Sequence, residues 1–201
     1  MLKKSLIVAS LLLAGTSVMA QSYFVGIDYG NYDNTATFSA AMDGESYSDS
    51  GSDKDKNIGL KVGIADIANG RIYLHTGKLY DNKEDGFSME YKSTSINYDY
   101  FIGQYGKVTP FVGVAIGQGE LSWNIYEEDG FSLSASGKAI EYGAKLGALV
   151  KVTKNANFEI GYTYGKSNAD ATLTNPENSN EYIKIEADDT QGLYVGFNYI
   201  F

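Results

Sequence analysis

The chain closes on Gly192-Leu193-Tyr194-Val195-Gly196-Phe197-Asn198-Tyr199-Ile200-Phe201, and this stretch repeats every two residues. Leu193, Val195, Phe197, Tyr199 and Phe201 are all bulky and apolar or aromatic. The positions between them begin Gly192, Tyr194, Gly196 and Asn198. A strand sends successive side chains to opposite faces, so the pattern predicts a strand with one bulky apolar face.

The same period recurs upstream. In Tyr23-Phe24-Val25-Gly26-Ile27-Asp28-Tyr29-Gly30 the odd positions are Tyr, Val, Ile and Tyr. In Ile58-Gly59-Leu60-Lys61-Val62-Gly63-Ile64 the even positions are apolar and the others are Gly or Lys. No helical period follows Gln21. Eight strands are predicted, near 22–32, 55–66, 70–80, 88–103, 109–119, 137–151, 156–166 and 190–201. Their connections alternate in length. Residues 66–70, 104–108 and 152–155 make short turns, whereas 33–53, 120–136 and 167–189 are long, with 81–87 a shorter member of that set. Short turns at one end and long loops at the other predict an all-β fold, an eight-stranded antiparallel up-and-down transmembrane β-barrel. The Ser/Asp/Gly stretch 43–53 reads as a low-complexity loop tip.

Composition narrows the chemistry. The 201 residues carry 25 Asp/Glu against 16 Lys/Arg, no Cys and one His. Absence of Cys excludes disulfides, Cys-ligated zinc, Fe–S clusters and thiol nucleophiles. A single His excludes a multi-His metal site. A net charge of −9 argues against nucleic acid, which needs a basic face. Mean hydropathy of −0.24 argues against a bundle of membrane helices. No cofactor and no metal is expected, nor a catalytic residue.

Residues 1–20 form an export signal. Lys3 and Lys4 precede an apolar run from Leu6 to Ala14, and small residues lead to Ala20. Cleavage is expected between Ala20 and Gln21, because the run is too short to span a bilayer. Residues 21–201 then form the barrel domain.

Two faces need assigning to lipid and lumen. Six segments place glycines four apart on the less bulky face: Gly26/Gly30, Gly59/Gly63, Gly113/Gly117, Gly143/Gly147, Gly161/Gly165 and Gly192/Gly196. Glycine weakens a strand, so its repetition needs a cause. An eight-stranded barrel has an interior just wide enough for side chains, and glycines there make room for long ones. The glycine face is therefore assigned to the lumen and the bulky face to lipid. By the same parity Asp28, Lys61, Arg71, His75, Asp99, Glu141, Lys145 and Glu159 form a polar lumen network. Opposite charges in so narrow a space must pair. An ionic plug is favoured over a narrow pore for ions or small solutes.

The long connections hold 18 of the 25 Asp/Glu, with Lys83 and Lys184 as their only bases. Carboxylates suit divalent cations that bridge to anionic headgroups, and loops on a rigid scaffold also suit adhesion. No dedicated calcium loop is present.

The terminal alternation ending on Phe201, the signal peptide and stretches such as Thr109-Pro110-Phe111-Val112-Gly113-Val114-Ala115-Ile116-Gly117 and Arg71-Ile72-Tyr73-Leu74 resemble small Gram-negative outer-membrane barrels of the OmpA/OmpX type. The resemblance covers residues 21–201. It implies a monomer in the outer membrane, in contact with its lipids and lipopolysaccharide. It also implies that Leu193, Val195, Phe197, Tyr199 and Phe201 are read by the barrel-assembly machinery. Tyr23, Tyr100, Tyr199 and Phe201 would form a periplasmic aromatic girdle, and Tyr29, Tyr80 and Tyr164 an outer one. The resemblance does not extend to a peptidoglycan-binding domain, so cell-wall anchoring is not expected. Similar barrels include lipid-modifying enzymes that use His with Ser. Here His75 is followed by Thr76, and a structural or surface-interaction role is favoured over an enzyme.

Overall fold

A computed structural model of the chain describes residues 22–84, 87–126, 132–175, 178 and 180–201, without the side chains of 79–84, 87, 126 and 132. The export signal and its cleavage point at Ala20 and Gln21 lie outside these residues, as does the side chain of Tyr80. Eight strands form one closed antiparallel barrel: β1 (Ser22–Met42), β2 (Glu45–Ile67), β3 (Gly70–Glu84), β4 (Phe87–Phe101), β5 (Val108–Tyr126), β6 (Ser132–Thr153), β7 (Ala156–Thr174) and β8 (Tyr182–Ile200). Each strand pairs with its sequence neighbours, and β8 pairs back onto β1. Closure leaves no open edge around the ring, which an apolar solvent requires.

The outer wall is apolar. Ile27, Leu60, Val114, Ile116, Leu146, Ile160 and Leu193 are each at least 50% exposed on this face. A water-soluble barrel would bury such residues. Tyr23, Tyr100, Tyr199 and Phe201 project outward near the short-turn end, and Tyr29 and Tyr164 toward the other.

The strands run far beyond the predicted segments. A membrane crossing needs roughly 9–11 residues per strand, yet β1 has 21 and β2 has 23. Much of what the sequence reads as long loops is strand standing above the apolar band. The stretch 43–53 is no loop tip. Asp43 and Gly44, both at positive φ, turn the chain between Met42 and Glu45, and Glu45–Asp53 pairs with Asn34–Met42. Asp-Gly favours the primed hairpin turn because both central residues must take positive φ. The alternation is hidden from hydropathy, since Thr35, Thr37 and Ser39 face Ser52, Ser50 and Ser48. Register shifts at Asn34/Ala36 (β1 against β8) and Lys166/Ala169 (β7 against β8) lie where the band gives way to this extension. Pairing of β2 with β3 stops at Ile58 and Lys78, so the top of β2 leans on β1 alone.

Candidate functional site

The interior has layers. At the short-turn end a vestibule of about 420 Å³ opens between Phe24, Arg71, Leu149 and Asn198. Above it lies a layer of buried charge, then a polar cavity of about 120 Å³, then an apolar cap.

Charge layer and cap are both built by strand parity. Asp28 comes from β1, Lys61 from β2, Arg71 and Tyr73 from β3, Asn97 and Asp99 from β4, Lys145 from β6 and Glu159 from β7. The barrel's shear brings them together in one chain of opposite charges. Lys61 Nζ lies 3.1 Å from Asp28 Oδ2 and 3.0 Å from Glu159 Oε1. Arg71 Nη2 lies 2.9 Å from Glu159 Oε1 and 2.7 Å from Asp99 Oδ2. Lys145 Nζ approaches Asp99 Oδ1 at 3.9 Å. Three acids thus alternate with three bases. His75 Nε2 sits 3.2 Å from Asp28 Oδ2 at one end.

Neutral donors complete this layer. Tyr194 Oη and Asn198 Nδ2 donate to Glu159 at 2.8 and 3.0 Å. Tyr73 Oη donates to Asp99 at 3.1 Å and accepts from Lys145 at 2.6 Å, while Lys145 also donates to Asn97. The Arg71 guanidinium lies 5.0–5.5 Å from the ring centres of Phe24, Tyr73 and Phe111. Such contacts suit a buried, weakly hydrated cation.

Glycines make the crowding possible. A Cβ on Gly59 would meet His75 and Asp28, and one on Gly113 would meet Asp99 and Lys145. These are close-approach glycines, selected for the room they leave.

Glu141 stands apart from the chain of charges. It lines the polar cavity and accepts hydrogen bonds from Tyr91 Oη at 2.9 Å and from Ser93 Oγ. Among the described residues no ion pair reaches it. Parity groups it with the other seven, but it sits higher, beneath the cap. That cap joins Tyr32, Tyr91, Leu121, Trp123, Ile185 and Tyr194. Leu121 and Trp123 are completely buried, and Trp123 Nε1 donates to the Ala171 carbonyl at 3.1 Å.

The histidine does gain a serine across the sheet. His75 and Ser95 are register partners in β3 and β4. Ser95 Oγ accepts from Asn97 Nδ2 at 2.9 Å, and no hydrogen bond joins it to His75 among the described residues. A nucleophile and base need that contact.

Sequence reasoning missed Tyr73, Tyr91, Asn97, Trp123, Tyr194 and Asn198. Their signal is present: Tyr73, Tyr91 and Asn97 share the parity of the charged lumen residues on β3 and β4, and Trp123, Tyr194 and Asn198 that of the paired glycines on β5 and β8. The four aromatics read equally well as rings at the lipid interfaces, and the two asparagines carry no charge to mark them.

No family model matches the chain, and no curated protein matches it closely. Solved structures do share its fold. Neisserial surface protein A is similar at TM-score 0.60 and 16% identity, covering 91% of this chain and 100% of that one. OprG, an outer-membrane protein of Pseudomonas aeruginosa, is similar at 0.57 and 15%, covering 90% and 96%. The outer-membrane protein AlkL is similar at 0.54 and 12%, covering 94% of both chains. The fold is that of small outer-membrane β-barrels.

Proposed function

We propose that this chain is an integral barrel of a Gram-negative outer membrane, closed to solutes, whose work is done by its wall and its projecting strands. One observation carries the reading. Two layers cross the lumen, the charges from Asp28 to Lys145 and the apolar cap around Trp123, and they support a blocked interior. A conducting pore needs a continuous wet path, and every charge in that path must exchange partners as an ion passes. Here the charged groups already neutralise one another within 4 Å.

What remains accessible is the outside. The β1–β2 arm carries Asp43, Glu45, Asp49 and Asp53 far from the apolar band, alongside exposed Phe38, Met42 and Tyr47. Acid flanking exposed aromatics is a surface for contact with another molecule. Divalent cations held by the acidic strands would link them to lipopolysaccharide. The barrel would act as a monomer, inserted by the assembly machinery after export. We expect no enzymatic turnover, since His75 is held by Asp28 and Ser95 is engaged by Asn97.

Planar-bilayer recording tests the closed state. Insertion of the folded protein should add no steps of current above bare lipid. Stable unitary steps would overturn the reading in favour of a narrow pore.

A further inference from the structure

The β1–β2 arm has two unlike faces. One is a closed polar ladder. Thr37 Oγ1 and Ser50 Oγ are 2.9 Å apart, Ser39 Oγ and Ser48 Oγ are 3.1 Å apart, and Thr37 also donates to Asp188 at 2.7 Å. The other face continues the lumen parity of both strands. On β1 it carries Phe38, Ala40 and Met42, in step with Asp28 and Tyr32 below. On β2 it carries Glu45, Tyr47 and Asp49, in step with Lys61.

This second face extends the apolar cap. Register sets Phe38 beside Asp49 on β2 and beside Ile185 on β8, and Ala40 beside Tyr47 and Ile183. Ile185 is buried in the cap. Along the arm that cover ends, for Phe38 is 40% exposed, Met42 54% and Tyr47 59%. Lipid tails do not reach them, because the Asp33–Lys54 ion pair lies between this face and the apolar band. Below Phe38 the face is hollow. Ala36 pairs with Gly51, and a Cβ on Gly51 would meet nothing within 4 Å, unlike one on Gly59 in the lumen.

Charge on the arm's tip has one sign. Glu45 and Asp49 stand on this face and Asp43 at its end, and no base pairs with any of them among the described residues. Lys54 and Lys184 pair with Asp33 and Glu186 instead. The free edge of β2 is guarded. Asp49 Oδ1 accepts from the Ser50 N–H at 3.0 Å, and Asp53 Oδ1 from the Lys54 N–H at 2.7 Å. Charged side chains that occupy edge amides oppose the addition of another strand. A partner is therefore directed to the face and not to the edge.

We propose that this face binds a cationic amphipathic helix of a protein or peptide. Its apolar stripe packs on Phe38, Ala40 and Tyr47, and its Lys or Arg side chains meet Glu45 and Asp49. The neighbouring strands β2, β1 and β8, spaced about 4.8 Å apart, make a face about 10 Å wide, which matches the diameter of a helix. Charge complementarity selects against anionic lipid and against a second copy of this arm, since either brings more negative charge. The proposal rests on the reading of the arm as a contact surface, and it names the partner.

Fluorescence anisotropy of a labelled Leu/Lys helical peptide tests it, with the folded barrel in zwitterionic nanodiscs. A second peptide keeps that composition but scatters the Leu stripe, and a third replaces Lys by Glu. The Leu/Lys helix should bind, and the scattered peptide should bind roughly tenfold more weakly because it buries no continuous stripe. E45Q/D49N should weaken binding roughly fivefold and flatten its salt dependence. F38S/Y47S should weaken it roughly tenfold at any salt concentration. S39A/S48A, on the polar face, should change nothing. Equal binding of the scattered peptide, preference for the Leu/Glu peptide, or indifference to both arm variants defeats the proposal. The chain has no Cys, so F38C and Y47C report on the face itself. Labelling of both thiols by a water-soluble maleimide, with no peptide bound, would defeat this partner and leave the contact surface standing. Failure of the thiols to label in the folded protein would remove the contact-surface reading as well.

Discussion

Lys61 and Glu159 are 98 residues apart in sequence and meet at 3.0 Å in the centre of the barrel, each almost wholly buried. Neither charge would be stable there alone. An unpaired buried charge costs several kcal/mol, whereas a paired one roughly breaks even against an apolar replacement. The network therefore carries specificity more than net stability. It penalises any register in which the charges fail to meet.

The order of charges makes a sharp prediction. Lys61→Met leaves Asp28 and Glu159 short of a base and should cost about 3–5 kcal/mol. Adding Asp28→Asn removes the end of the chain, leaving Glu159–Arg71–Asp99–Lys145 intact and balanced. Adding Glu159→Gln instead strands Asp28 and cuts Arg71 from one partner. The first double variant should recover stability, with a coupling of about 1–3 kcal/mol. The second should recover less. Urea unfolding from lipid vesicles, followed by Trp123 emission, measures both. Equal recovery would mean that the network is not ordered as described.

The wall and the projecting strands should respond in opposite ways to charge. Val114 is 60% exposed between Val112 and Ile116 on β5. Val114→Arg should cost about 2–4 kcal/mol at mid-membrane depth. Ser48→Arg, on the exposed arm, should stay within about 0.5 kcal/mol. The same vesicle assay compares them, and similar costs at the two sites would count against the lipid-facing assignment.

Much of this arrangement is legible in the sequence, and the rest is missing for definable reasons. Strand parity places all eight predicted charged residues on one face because the period of a strand is fixed at two. It says nothing about height. Height depends on shear and register, and so Glu141 could not be separated from Glu159 beforehand, although one ends beneath the cap and the other inside the ionic chain. The extensions escaped for a different reason. Thr35, Thr37 and Ser39 against Ser52, Ser50 and Ser48 form a regular ladder with no apolar contrast, and hydropathy sees only polarity. Asp43-Gly44 was the available clue.

The apolar cap gives a third prediction. Trp123 is fully buried against Ala171, and it packs within the cluster of Leu121 and Ile185. Trp123→Ala should cost about 3–5 kcal/mol, the range for deleting a large buried aromatic. Current should remain blocked, because the charge layer below is untouched. The loss is best read from heat-modifiable migration in a urea series, since this substitution removes the only tryptophan. Unitary currents in Trp123→Ala would show that the cap, and not the charge layer, is the seal.

Closure at the chain end gives the last. Along β8, Leu193, Val195, Phe197 and Tyr199 project outward while Tyr194, Gly196 and Asn198 fill the lumen. The final residue continues this wall. Phe201 donates its backbone N–H to the Tyr23 carbonyl at 2.9 Å, and its ring packs edge-on against Tyr199 with centres 5.2 Å apart. The ring is otherwise exposed, which suits an aromatic at the bilayer interface. Deleting Phe201 removes one hydrogen bond and one ring contact, together worth about 1–2 kcal/mol. Folding from urea into detergent should therefore fall only slightly. In cells the expected loss is much larger on the proposal that the assembly machinery reads the outward alternation ending on an aromatic. The heat-modifiable, protease-resistant form should drop severalfold, with processed but unfolded protein accumulating in the periplasm. A Phe201→Tyr variant keeps the aromatic end and should assemble normally. Should the deletion reach the outer membrane at wild-type levels, Phe201 would be reduced to the modest packing and hydrogen bonding just described, and the β8–β1 seam would have to guide assembly by pairing alone.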